Sequence, residues 1–168
     1  MDSKENQMDV LKPVDHAALA VNQAVIILLT IAAFVLNAPL LTALVALLML
    51  AGTVLGRPGF FWIYRGILRP LNLVQPDVLE DNPEPHRFAQ GFGGVVLLAA
   101  SLSLAAGLPA LGWGLAWMVA ALAALNLFAG FCAGCAVYYW LSRMRVPGFL
   151  KSPPAGTFPG LRPRRRHS

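Results

Sequence analysis

This chain is poor in charge, and poorest where charge would matter most. Only 12% of its residues are Asp, Glu, Lys or Arg while 57% are hydrophobic, whereas about a quarter of a soluble domain is charged. That balance excludes an ordinary water-soluble domain. Four runs, 17–36, 40–55, 92–108 and 115–138, contain no Asp, Glu, Lys or Arg, and each reads as a helix crossing about 30 Å of hydrocarbon. With no acidic or basic group in any run, the usual apparatus of an ion pump or proton-coupled carrier is missing. Cysteine is equally scarce. Cys132 and Cys135 are the only two, which excludes the disulfide framework of a small secreted domain. A basic leader is also lacking: the first 16 residues, MDSKENQMDVLKPVDH, are polar and carry four acids, so the first apolar run reads as a permanent span and not a cleaved signal.

The charge that is present is one-sided. Lys4 and Lys12 precede the first run, Arg57, Arg65, Arg69 and Arg87 lie between the second and third, and Arg143, Arg145, Lys151, Arg162, Arg164, Arg165 and Arg166 follow the fourth. The opposite turns, 37–39 and 107–114, carry none. Basic residues in short loops stay cytoplasmic, so both termini are expected on the cytoplasmic side of the membrane. Anionic lipid accounts for the net charge of +5 without a nucleic-acid partner.

The expected architecture is all-α: an integral membrane four-helix bundle of two hairpins plus a cytoplasmic interfacial amphipathic helix. It divides into a polar N-terminus, 1–16, a transmembrane domain, 17–141, and a basic Pro-rich tail, 142–168. Pro39 and Pro109 suit first helical positions. The cytoplasmic connection, 56–91, is too long for a passive turn. Within it Phe60, Tyr64, Ile67, Leu68 and Leu71 recur at helical spacing opposite Arg65 and Arg69, as in a helix lying on a membrane surface. The prolines and acids of VQPDVLEDNPEPHRFAQ are expected to delay regular helix until near Phe88, and Asp77, Glu80, Asp81 and Glu84 to pair with arginines. Trp113 and Trp117, and Tyr138, Tyr139 and Trp140, mark interfaces. The tail SPPAGTFPGLRPRRRHS has the composition of a disordered segment.

On a helix running through to Tyr138, Cys132 and Cys135 share a face. A C-x-x-C pair is the minimum device for reversible dithiol chemistry, one thiolate attacking and the other resolving. Its place near the C-terminal end of that helix opposes thiolate formation. Only a bend or nearby arginines would reverse this, and Gly130 and Gly134 permit a bend. Two further readings stay open. Gly130-x-x-x-Gly134, like Gly52-x-x-x-Gly56, is a small-residue stripe for close helix packing, and two thiolates could bind a soft metal such as monovalent copper. His16 and His86 could complete such a set, but no ligand spacing singles them out, and each is read as an interfacial polar residue. The amide of Asn126, in mid-span, is expected to face another helix.

Taken in order, VDHAALAVNQ, GRPGFFWIYRGILRP, EDNPEPHRFAQGFG and ALNLFAGFCAGCAVYYW resemble a bacterial family of small membrane proteins, the domain of unknown function 4395 family. The resemblance covers about 14–141, and its most specific elements are P-x-R-F-A-Q at 85–90 and G-F-C-x-G-C at 130–135. Such proteins usually carry Arg before the N-Q pair of the first helix, whereas this chain reads Ala20-Val21-Asn22-Gln23. The matching positions carried over as candidate site residues are Asn22, Arg87, Phe88, Gln90, Cys132, Gly134 and Cys135; the resemblance implies that the cysteine pair has a role and names no activity, and no resident metal is expected. The leading expectation is a membrane-embedded thiol site for dithiol exchange or sulfur relay at the cytoplasmic face, with a thioredoxin-like or sulfur-carrier partner. Cys135 is expected to meet that partner and Cys132 to resolve. The likeness in plan to quinone-linked C-x-x-C membrane proteins makes a quinone one candidate cofactor. A scaffold, in which the cysteines only pack, and a small metal carrier are the alternatives.

Overall fold

The structure, a computed structural model, describes residues 11–163. The start of the polar N-terminal segment and the last five residues of the basic tail lie outside the described residues. The chain is mostly helical. In order run β1 (Lys12–Asp15), α1 (His16–Val35), α2 (Pro39–Leu55), the single-turn α3 (Phe61–Ile63) continued by a π-helical turn (Tyr64–Leu68), β2 (Val78–Asp81), α4 (Pro83–Ala105), α5 (Pro109–Ala129) and α6 (Ala133–Arg143). Among the described residues three helices, α1, α4 and α5, are long and apolar enough to cross a membrane, and α2 is a shorter apolar helix.

Each boundary has a local cause. Asp15 caps α1 by accepting the Ala17 N–H at 3.0 Å, which satisfies one of the amides a helix start leaves over. Pro39, Pro83 and Pro109 stand at the first positions of α2, α4 and α5, where a missing N–H costs no bond. For that reason α4 begins five residues before Phe88, earlier than the proline-rich sequence suggests. At the other ends, α2 and α5 stop at Gly56 and Gly130, both left-handed at φ +70° and +64°.

The stop at Gly130 replaces the expected helix over 115–138. Residues with a Cβ rarely adopt a left-handed φ, so the glycine ends α5 and the chain turns before α6 starts at Ala133. The proposed stripe Gly130-x-x-x-Gly134 is therefore not one helical face. Gly134 alone makes a close approach: a Cβ there would lie 2.5 Å from that of Ala89 on α4.

α1 packs on α2 and α5, and α4 packs on α2, α5 and α6. Their shared core contains Ile26, Val45, Met49, Leu97 and Val119, with Ala46, Ala100 and Ala116 fully buried between them; small residues let helix axes come close where lipid supplies no hydrophobic drive. The outer faces carry Leu28, Leu40, Leu44, Leu47, Val54 and Leu102, all exposed. Apolar surface of that extent calls for lipid or a partner to cover it.

At one end, β1 and β2 pair antiparallel, Lys12 opposite Asp81 and Asp15 opposite Val78. Asp15 ties this ribbon together, taking the Asp77 N–H at 3.1 Å and the Tyr64 hydroxyl at 2.5 Å. Burial, then that bond to a carboxylate, pushes the Tyr64 phenol up to about 12. In place of a regular amphipathic helix, the segment after α2 makes one α turn and one π turn, with Phe60 and Tyr64 buried in protein while Ile67 and Leu71 stay exposed.

Candidate functional site

The turn after Gly130 sets the chemistry of the cysteines. Cys132 is the extended N-cap of α6, with φ −90° and ψ 98°, and its sulfur accepts the Cys135 N–H at 3.2 Å. The pair thus lies at a helix N-terminus, where the dipole and free amides favour a thiolate, and not at the helix end where they oppose one. Cys132 and Cys135 are joined as a disulfide with Cα atoms 5.2 Å apart, and both are buried.

A histidine and a carboxylate stand behind the second sulfur. His86 Nδ1 is 3.4 Å from Cys135 Sγ, and its Nε2 is 2.9 Å from Asp81 Oδ2. Because a carboxylate accepts, Asp81 takes a hydrogen bond from the Nε2–H, which keeps its proton on the ring and leaves the Nδ1 lone pair facing sulfur whenever the ring is neutral. His16 Nε2 also lies 3.2 Å from Asp81 Oδ2 without forming a well-directed hydrogen bond, and the two imidazoles meet edge to face with centroids 5.6 Å apart. Burial works to raise the Asp81 carboxyl, but the contacts from His16 and His86 and the Asn82 N–H outweigh it and hold the group well below the usual carboxylate range.

The elements bring these groups together from across the chain. The β1–β2 pairing places His16, first in α1, beside Asp81, last in β2, and the start of α4 presents His86 one turn later. Asn82 follows Asp81 and donates from its amide to the Tyr139 hydroxyl at 3.3 Å and the Ser152 carbonyl at 2.8 Å, fastening α6 and the tail to the same corner.

The tail closes over the disulfide. Cys132 N–H donates to the Gly160 carbonyl at 2.7 Å, Arg162 N–H donates to the Gly130 carbonyl at 3.0 Å, and Phe131 and Leu161 form an antiparallel bridge. Gly160 is left-handed at φ +88°, and a Cβ there would come within 2.8 Å of the Cys132 carbonyl oxygen. The Arg162 side chain pairs with Asp77. This part of the tail is packed, contrary to the disorder its composition suggests.

Two cavities meet at Cys132. A cavity of about 400 Å³ is lined by His16, Asp81, His86, Cys132, Cys135 and Tyr139, among others. A second of about 190 Å³, mostly apolar, runs along Met49, Phe92, Met118, Val119 and Leu122 to Cys132. Gln23 and Asn126 line both, so the half-buried amide of Asn126, expected in mid-span but found in the last turn of α5, borders both cavities.

Of the remaining candidates, Asn22, Phe88, Gln90 and Gly134 line the second cavity together with Cys132. Asn22 accepts the Phe60 N–H at 3.0 Å. Gln90 accepts from Gly59 N–H at 3.2 Å and donates to the Met49 carbonyl at 2.9 Å, and Arg87 donates to the Thr53 carbonyl at 3.0 Å. All three hold the C-terminal corner of α2. Phe88 stacks on Phe92 and meets Tyr138 of α6 and Phe149 edge to face. His86, His16 and Asp81 are the residues that sequence reasoning passed over as a site. The signals for them were two histidines predicted on the same side of the membrane as the cysteines and Asp81 lying five residues before His86, without a ligand spacing.

No curated protein and no solved structure matches this chain. The model of one family, described as a domain of unknown function (DUF4395), matches residues 14–143. With that match running over most of its length, from β1 through the last turn of α6, the chain belongs to the DUF4395 family.

Proposed function

We propose that the protein is a membrane-embedded thiol–disulfide centre at the cytoplasmic face of a bacterial membrane, built as a four-helix bundle of two hairpins with both termini cytoplasmic. The observation that carries the reading is the cysteine pair at the start of α6 with His86 on Cys135 and Asp81 behind the ring. On the reducing side of a membrane a disulfide is more often transient and reactive than structural.

The geometry favours an order of events opposite to the one expected from depth along a straight helix. A thiolate of a dithiol partner attacks Cys132 Sγ, the Cys132–Cys135 bond breaks, and the electron pair leaves on Cys135, which takes a proton from protonated His86. The partner's second thiolate then attacks the mixed disulfide and releases Cys132 as a thiolate stabilised by the Cys135 N–H. One partner dithiol is oxidised to a disulfide and two electrons pass to the pair, leaving a Cys135 thiol, a Cys132 thiolate and a neutral His86; the two protons that the partner thiols lost to water then reprotonate Cys132 and His86, so that two protons accompany the two electrons. Every step runs backward when the partner arrives oxidised. A thioredoxin-like protein is the partner class that this exchange fits, and the apolar cavity reaching Cys132 is of a chemistry that would admit the ring of a lipid-soluble quinone as an alternative two-electron couple.

The test is a redox titration of the purified protein in detergent, with mass-tagged alkylation counting free thiols against a graded dithiol buffer. A reversible two-electron transition within the range of cytoplasmic couples is expected. A pair that stays locked across that range, with Cys132→Ala and Cys135→Ala leaving every phenotype intact, would leave a packing role in a scaffold as the better account.

A further inference from the structure

The same corner has the donor set of a metal centre once the disulfide is opened. One ligand atom each from His86, Cys132 and Cys135 lie within 4.8 Å of one another. Three features go beyond proximity. First, Asp81 on Nε2 directs the Nδ1 lone pair of His86 toward the sulfurs, the carboxylate–imidazole arrangement that orients metal-bound histidines. Second, the Cys135 N–H already donates to Cys132 Sγ, a bond that also stabilises a ligating thiolate. Third, the cavity of about 400 Å³ beside the three residues leaves one side open and contains His16, a buried imidazole whose Nε2 has no well-formed hydrogen bond. Around a tetrahedral ion with Zn–S distances of about 2.3 Å the sulfurs would stand about 3.8 Å apart, a separation reached by side-chain rotation with the helix start left in place.

We infer that the reduced form of this protein binds one thiophilic d10 cation, of which Zn²⁺ is the commonest in cells, through Cys132, Cys135 and His86, and that forming the disulfide, with an oxidised dithiol (a partner disulfide) taking the two electrons, releases it. The inference rests on the reading above only in requiring that the pair can be reduced. A dithiol reductant supplies two electrons and the disulfide takes up two protons; the two thiols then lose those protons as the divalent ion binds. Two thiolates and one imidazole suit a soft or borderline ion and disfavour Mg²⁺ or Ca²⁺. The cation and the disulfide compete for the same sulfur electrons, so occupancy follows redox state.

The full chain in detergent is titrated with Cd²⁺ as a spectroscopic stand-in for Zn²⁺, once after reduction and removal of reductant and once oxidised, while alkylation counts thiols in parallel. One thiolate-to-cadmium charge-transfer band saturating at one ion per chain is expected in the reduced sample, none in the oxidised one, and displacement of the ion on reoxidation. Asp81→Asn should weaken binding by about tenfold, since orienting partners of this kind are worth 10–100-fold in affinity, and His86→Gln, which removes a ligand outright, by about 100-fold or more. Two titratable thiols with no band would overturn the metal site and leave the redox centre standing. Thiols that cannot be produced by reduction would overturn both. A band unchanged in His86→Gln, in a variant that still forms its disulfide, would also overturn the three-ligand site.

Discussion

The Nδ1 of His86 lies 3.4 Å from the sulfur of Cys135, a residue 49 positions away in sequence. A ring so placed can give a proton to the leaving thiolate and take it back on the return. Replacing it by Gln keeps the volume and removes the proton relay, and a well-placed general acid–base is worth 10²–10⁴-fold. His86→Gln should therefore slow exchange with a small dithiol by about 100-fold at neutral pH and flatten the pH–rate profile. Stopped-flow reduction followed by acid quench measures it; an unchanged profile would remove His86 from the mechanism.

Asp81 gives a prediction with a definite sign. Its folded-state pKa is depressed below the usual value of 3.8, so the stability it contributes is fully present above that value and is lost as pH falls through the lower folded value. Thermal unfolding in detergent should show an acid limb beginning below about pH 4. Asp81→Asn should be less stable at neutral pH and show a shallower limb, because the unpaired histidines no longer have a charge to face.

Gly130 should tolerate little. With φ at +64°, Gly130→Ala places a Cβ in the left-handed region at a cost of about 1–2 kcal/mol, and Gly130→Val should cost more. Since the turn also sets Cys132 at a helix start, the variants should shift the disulfide potential as well as the unfolding midpoint, and the same titration reads both.

Gly134→Leu probes the seat of α6. Even the first carbon of a side chain there collides with Ala89, so α6 must lift from α4 and carry Cys135 away from His86. Loss of exchange with α1, α4 and α5 still inserted is the expected outcome, seen as unchanged protease protection of the spans together with unprotected thiols. Gly134→Leu that keeps wild-type exchange would count against the packing described.

The part of the fold that follows from hydropathy was legible from residue types alone. The runs 17–36 and 40–55 correspond to α1 and α2 within a residue, and Pro39 and Pro109 stand where a proline costs a helix nothing. What escaped depends on backbone angle or on distance along the chain. Hydropathy is continuous across residues 126–138 and cannot register that Gly130 is left-handed, so one helix was expected where two form. Prolines 83 and 85 looked like breakers but occupy the first turn of α4. The pairing of Lys12 with Asp81, which carries His16 to Asp81, spans 69 positions, and nothing in local spacing announces it. The cysteine motif was visible; its environment came from three separate segments.

The tail contact has a mechanical consequence. Because Gly160 and Arg162 are stitched to Cys132 and Gly130 through main-chain bonds, a pull on residues 160–162 loads the Arg162 contacts with Gly130 and Asp77 and, behind them, the amide of Cys132 and the turn that holds its sulfur. Whatever holds or frees residues 160–162 therefore works as a latch on the disulfide, lifting from the loop to bare it or lying down to shield it, with the apolar helices left where they are.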